Sequence, residues 1–442
     1  MNDWLEAENR AERAAQLSEQ ERWGDALLEL EAAIAINPND PNWHAQRGQL
    51  LDQLERYDEA IEAYSEALEH VPQHVELRTA IATNFIRIGK HEQAVSLLEK
   101  VSGEHPNYEP AYCHRIAALT RLGDHEKAEE MFYLAQQLND KCPNCFHHLA
   151  ESLACREDFA RAIYCWQRVL ELEPDYPQVR HRIADAYRAQ GMPEDAKDFY
   201  LQALRHEPGN TEILVELGNL LVEMDDLDGA AARFRLALDL DPECIAALVM
   251  LGLIASQHDE LDLAVEHLHA ALKLDDGTPG VRAHLGEAEL RRGNHYDAQR
   301  HLGMALEEDG DDCVARMAMG NCLLELGRPH EAAQHFERLI DLLPDVAGGY
   351  HNLAVCHFLL NRFDEGIDLC LKALEIEPGN VMAMHKLALA YIHQGRYNDA
   401  RAVTDRGLSI DPKHHGLNTI PKRFWTLRFR RFCDRIKSQL PI

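Results

Sequence analysis

Two thiols separated by two residues, in Cys142-Pro143-Asn144-Cys145, are the first feature of this sequence that could do chemistry. That spacing lets both sulfurs reach one metal ion, or lets them work as a redox pair. His147, His148, Cys155 and Cys165 follow nearby, but no second Cys-x-x-Cys completes a four-ligand set. We therefore read Cys142 and Cys145 as structural thiols and expect no metal, with these two the candidate ligands if one binds. His147 with Glu151 and His181 with Asp185 are each spaced by four, so each pair shares a helix face. Metal sites in helical bundles use such pairs. Packed helices lie about 8–10 Å apart, however, and a local hydrogen bond within each pair is the simpler expectation. No Gly-Lys-Ser/Thr phosphate loop and no nucleophile elbow is present, and His91-Glu92 lacks the second histidine of a zinc peptidase. The sequence thus predicts neither an enzyme nor a cofactor.

The elements that carry these residues emerge from counting. Small residues preceded by acidic or polar turns fall at Ala26, Ala60, Ala94, Ala128, Ala162, Ala196, Ala230, Ala264, Ala298, Ala332, Gly366 and Ala400, always 34 residues apart. With that residue as position 20 of a unit, twelve units run without insertion over residues 7–414, after a lead-in at 1–6 and before a segment at 415–442. Thirty-four residues suffice for two helices of three to four turns and two short connections. Position 8 is Gly or Ala except at Ile116, and small residues at 8, 20 and 27 let helices cross closely while Leu51 and Tyr64 fill the space between them. Gly89, Gly123, Gly191, Gly293, Gly327 and Gly395 share position 15, where a left-handed residue can end the first helix. Proline at position 32, as in Pro38, Pro72 and Pro378, stops the second. Cys142 and Cys145 fall at the junction of units four and five.

Within unit two, Trp43-His44-Ala45-Gln46-Arg47-Gly48, Tyr57-Asp58-Glu59-Ala60, Tyr64, Ala67 and Pro72 closely resemble the tetratricopeptide-repeat consensus. The resemblance covers residues 7–414. It implies an all-α, right-handed superhelical solenoid of tandem helix-turn-helix units, with an inner groove lined by first helices. Pentatricopeptide arrays are usually basic RNA readers of different spacing, and the strict period of 34 and the net charge of −30 argue against them.

The family lines its groove largely with positions 2, 5, 9 and 12. Units five and six place Asn144, His147, Glu151 and Ala154, then Gln178, His181, Asp185 and Arg188 there, a polar, histidine-bearing stretch. From unit seven the strip turns apolar, with Val215, Asn219 and Val222, then Val249 and Leu253, then Met317, Asn321 and Leu324; Glu287 of unit nine interrupts it. His351, Val355 and Phe358 of unit eleven and Met382, His385, Leu389 and Ile392 of unit twelve continue it. Such a strip predicts a protein partner presenting an amphipathic helix or an extended apolar peptide, with the Asn and His side chains bonding its backbone. The alternative is that neighbouring first helices bury some of these side chains. The two specialised clamps of the family are absent: no unit pairs Lys at position 5 with Asn at position 9, and among the units only Asn352 stands at position 6.

Forty-five Lys and Arg against 75 Asp and Glu repel phosphate backbones, so nucleic acid is not an expected partner. Residues 422–437 reverse the sign, with seven Lys or Arg and one Asp. There Trp425, Phe429, Phe432, Ile436 and Leu440 form one helical face and Arg428, Arg431 and Arg435 another. A helix capping unit twelve is the expected role. Docking onto an anionic membrane surface, or into the acidic groove of a partner or of a second copy of the chain, are the alternatives. The start Met1-Asn2-Asp3-Trp4 is unlike a secretory signal, no run has the apolar length of a membrane span, and the 11 cysteines are scattered. A cytoplasmic protein-binding scaffold is the resulting expectation.

Overall fold

The computed structural model describes residues 2–420, and side chains from Trp4 onward. Trp425, Arg428, Phe429, Arg431, Phe432, Arg435 and Ile436, the expected docking residues of the tail, lie outside that range. Among the described residues there are twenty-four α-helices in tandem antiparallel pairs and no strands, from α1 (Asn2–Glu19) and α2 (Trp23–Ile36) to α23 (Val381–His393) and α24 (Tyr397–Ile410). Each unit of 34 residues contributes one odd-numbered and one even-numbered helix. The expected lead-in is not separate: α1 begins at Asn2, so residues 2–6 extend the first helix by more than a turn. Residues 415–420 are helical as well, and Leu417 and Ile420 are fully buried against unit twelve. The chain divides into two compact units, residues 1–224 and 225–442.

Turn chemistry explains why the hairpins repeat so strictly. All twelve residues at position 15 adopt the left-handed conformation. Six are the glycines, with φ of 71–83°, and six are Glu21, Glu55, Glu157, Asp225, Asp259 and Asn361, with φ of 58–64°. The bonds around them are the same in both classes. In unit two the Arg56 N–H bonds the Leu51 carbonyl at 2.9 Å, and in unit four the Asp124 N–H bonds the Leu119 carbonyl at 3.0 Å. This six-to-one bond closes the first helix and satisfies a terminal carbonyl that the helix itself cannot. Side-chain caps then start several helices: Asp124 accepts from the Lys127 N–H at the head of α8 (His125–Leu138), and Asn380 accepts from the Ala383 N–H at the head of α23.

The small residues at position 8 are demanded by position 24 of the same unit. A Cβ on Gly48 would lie 2.5 Å from the Tyr64 ring, and one on Gly320 would lie 2.5 Å from the Phe336 ring. Gly286 faces Leu302 in the same way. Phe336, Leu302 and Leu268 are fully buried, so these close crossings form the middle of each hairpin. Ile116, the exception at position 8, is fully buried in a cluster with Phe132 and Phe146, whose rings meet edge to face at 5.2 Å.

Candidate functional site

In the first compact unit, α7 (Glu109–Leu122) and α9 (Pro143–Cys155) are the first helices of units four and five, and they pack side by side. Glu109 opens α7 and Cys113 follows one turn later; Cys142 is the N-cap of α9 and Cys145 follows within its first turn. The four ligand atoms, one oxygen and three sulfurs, all lie within 4.8 Å of one another. Cys113, Cys142 and Cys145 are 5%, 9% and 2% exposed, and the Cys145 thiol donates to Glu109 Oε1 at 2.9 Å. A hydrogen bond from the neighbouring Cys113 thiol favours the Cys142 thiolate and pushes that thiol down. Burial pushes Glu109 up to about 7. The structure thus adds two residues of ligand type to the Cys-x-x-Cys pair. The second pair comes from the preceding unit, as Glu109 and Cys113, and is not another Cys-x-x-Cys.

The neighbouring histidines behave as local pairs. His147 Nε2 lies 3.7 Å from Glu151 Oε1 and His148 Nδ1 lies 3.5 Å from Glu151 Oε2, while the Tyr176 hydroxyl donates to Asn144 Oδ1 at 2.8 Å. His181 Nε2 stands 3.5 Å from Asp185 Oδ1, which also accepts from the Tyr200 hydroxyl at 2.6 Å. The ligand atoms of His147, His148 and Glu151 lie within 4.8 Å of one another, a group to which His181 and Asp185 do not belong. Gln178 is not on the helical strip at all. It adopts a left-handed conformation with φ 60° just before α11 (Val179–Ala189), which starts two residues late. Arg188 is held by Glu216 at 2.6 Å and by Glu223 at 2.5 Å, making the wall of this stretch ionic.

The strip read as apolar is mostly half-buried. Val215, Asn219 and Val222 on α13 (Thr211–Glu223) are half-buried and belong to the first compact unit. In the second, Val249 and Leu253 on α15 (Ile245–Gln257), Met317, Asn321 and Leu324 on α19 (Cys313–Glu325), and His351 and Val355 on α21 (Ala347–Leu359) are half-buried too. An open depression of about 840 Å³ is lined by Met317, Asn321, Leu324, Glu287, Val314 and Val346. Val314 and Val346 are each 38% exposed. Val314 occupies position 2 of unit ten, and the sequence reading had passed over it although the register marks it. His284 holds Glu287 below the usual carboxylate range, so the residue that interrupts the apolar strip is an anion in the wall.

Three members of the strip have other work. The Asn352 amide donates to Asn321 Oδ1 at 2.9 Å, so that carbonyl already serves the next unit. Phe358 leans onto the second helix of its own hairpin, α22 (Phe363–Ile376), where its ring occupies the space a Cβ on Gly366 would need. Ile392 is 9% exposed in a core cluster with Leu417 and Ile420, so it is a core residue, and the expected strip ends at Leu389. Met382, 52% exposed, is the most open member, and His385 and Leu389 are half-buried, the His385 ring meeting His414 edge to face at 5.4 Å. His351 Nδ1 is buried without a hydrogen-bond partner, and burial pushes the ring down to about 4.

Family models for tetratricopeptide repeats match residues 17–83, 51–119, 317–381 and 369–402, and one described as the cilia and flagella-associated protein 70 C-terminal domain matches residues 143–344. A PPR-repeat model matches residues 111–139, less than a single unit. The peroxisomal targeting signal receptor of Candida albicans is 25% identical over 215 residues, 47% of this chain and 35% of that protein. The human protein O-mannosyl-transferase TMTC1 is 24% identical over 177 residues, 39% of this chain and 20% of that protein. The match thus spans about a third or less of each relative's length. Among solved structures, the Cut9-Hcn1 hetero-tetramer of the APC/C superposes with a TM-score of 0.52 at 15% identity, covering 93% of this chain and 94% of that one, a likeness of fold.

Proposed function

This chain belongs to the tetratricopeptide-repeat proteins, and from that premise we propose that it is a protein-interaction scaffold binding a helical or extended segment of a partner along its first helices. The observation that carries the reading is the depression beside α19, where Met317 and Leu324 present half-buried apolar surface next to the more open Val314 and Val346. An apolar floor walled by charges of both signs, Glu287 and Glu325 with Arg291 and Arg292, suits an amphipathic segment with charged residues at its edge. The similarity to receptors for peroxisomal targeting signals supports binding of a peptide-like element. The reading is non-catalytic. The similarity to an O-mannosyl-transferase extends over 20% of that protein and is consistent with a shared repeat segment. The reading also includes a cytoplasmic setting, supported by the free thiols of the described residues. No helix of the described residues is long and apolar enough to cross a membrane.

Affinity capture with mass spectrometry tests the function. Replacing Met317 and Leu324 together by Glu should remove partners that the unaltered chain retains, while far-ultraviolet circular dichroism stays the same. Capture of the same partners by the double variant would refute the assignment of this surface.

A further inference from the structure

We propose that Glu109, Cys113, Cys142 and Cys145 form a tetrahedral zinc site that clamps the first helices of units four and five together. The argument begins with reach. Zinc binds thiolate sulfur at about 2.3 Å, so the sulfurs of a tetrahedral site stand about 3.8 Å apart. The four ligand atoms already lie within 4.8 Å of one another, and side-chain rotation of about 1 Å closes the remaining gap. Each helix contributes two ligands one turn apart, Glu109 with Cys113 on α7 and Cys142 with Cys145 at the start of α9. That two-plus-two supply from two rigid elements is the arrangement a closed, four-coordinate site needs.

Electrostatics and burial favour the same ion. Glu109 is the first residue of α7 and Cys142 caps α9, so two helix N-termini face the cluster and stabilise its anions. Three thiolates are soft ligands, which selects zinc over calcium or magnesium. All three sulfurs are buried, with Cys145 only 2% exposed, which shuts out the partner thiols that a redox Cys-x-x-Cys must meet. Without an ion the cluster keeps protons of its own, such as the one the Cys145 thiol donates to Glu109. On binding, those protons leave to solvent and the metal takes their place. The cluster does not depend on the partner-binding reading. Its consequence is mechanical, because it fixes α7 against α9 next to the polar stretch of His147, His148 and Glu151.

The test uses the full chain, purified without a metal-affinity tag or chelator. Elemental analysis should find about one zinc per chain, and replacement by cobalt should give the intense thiolate-to-metal band and the visible bands of a tetrahedral cobalt site. The C142S/C145S variant should lose both, E109Q should hold the metal at least tenfold more weakly, and E109C should retain it. C155S, altered outside the cluster, should leave the content unchanged. If the double serine variant fails to fold, the cobalt spectrum of the unaltered chain and the E109Q and E109C affinities decide. A reduced chain that takes up neither zinc nor cobalt overturns the proposal, as does a cobalt spectrum without a thiolate band. Isolation of a Cys142–Cys145 disulfide that binds no metal after reduction overturns it equally.

Discussion

Replacing Gly366 by Ala should destabilise the protein, and the same replacement should stabilise it once Phe358 has been removed. Unit eleven is the only unit whose position 20 is Gly, and it is also the only one whose position 12 is an aromatic residue. The two departures compensate. The Phe358 ring occupies the place of the missing Cβ, and Phe363 limits its retreat with ring centroids 6.0 Å apart, itself stacked on His393 at 3.8 Å. Overpacking of this kind costs about 1–3 kcal/mol. In the F358A background the clash is gone, and Ala in a helix interior is then worth about 1 kcal/mol over Gly. The coupling between the two sites should therefore be about 2–4 kcal/mol, with a change of sign in the effect of G366A. Urea unfolding of the four proteins in the cycle measures it, with constant m-values as the condition for comparing midpoints. An equal, stabilising effect of G366A in both backgrounds would refute the reasoning, since it would show that Phe358 moves aside freely.

The left-handed residues at position 15 make a second prediction: Glu55→Gly and Glu157→Gly should each raise stability by about 0.5–1 kcal/mol, and Gly123→Ala should lower it by about 1 kcal/mol, read from thermal and urea midpoints. Neutral Glu-to-Gly changes beside a neutral G123A would remove left-handed strain as the reason for glycine there. A third concerns acid. An unfolded histidine titrates near 6.5 and His351 titrates at about 4, so between those values the unfolded chain binds the extra proton. The contribution of His351 is complete above pH 6.5 and is lost as pH falls towards 4, at most about 3 kcal/mol. H351Q should flatten the fall of melting temperature over that interval, and an unchanged slope would assign the acid sensitivity to other groups.

The period, the hairpins and their closing turns were legible because each is a property of residues close in sequence. Position 15 needs a left-handed residue for reasons internal to one turn, and position 8 needs a small one because position 24 of the same unit lies over it. Even there the legibility was partial. Glu21, Glu55, Glu157, Asp225, Asp259 and Asn361 take the left-handed form without being glycine, and only the repeat register marks them. The cluster around Cys142 was half legible. Cys142 and Cys145 announce themselves by spacing, whereas Glu109 and Cys113 lie about one period earlier and meet them only because first helices stack. Contacts such as Asn352 with Asn321 and Tyr176 with Asn144 span 31 and 32 residues, and Glu109 with Cys145 spans 36. A search for ligand types separated by roughly one period would have paired the two halves.

The same stacking explains why the binding strip was the least legible feature. A side chain at position 5, 9 or 12 of a first helix faces both the next first helix and the open side, and composition does not say how it is shared between them. Asn321 spends its carbonyl on Asn352, Phe358 turns to Gly366, and Ile392 is sealed beneath Leu417 and Ile420, although all three read as groove residues. What is left for a partner is the exposed edge of half-buried residues, together with Met382, Val314 and Val346. Binding energy drawn from such edges is spread over several units, so single substitutions should weaken a partner modestly, and only paired changes within one depression, such as Met317 with Leu324, should release it. A single substitution there that abolished binding would instead identify one anchoring pocket, and with it a shorter and more compact ligand than a helix laid across several units.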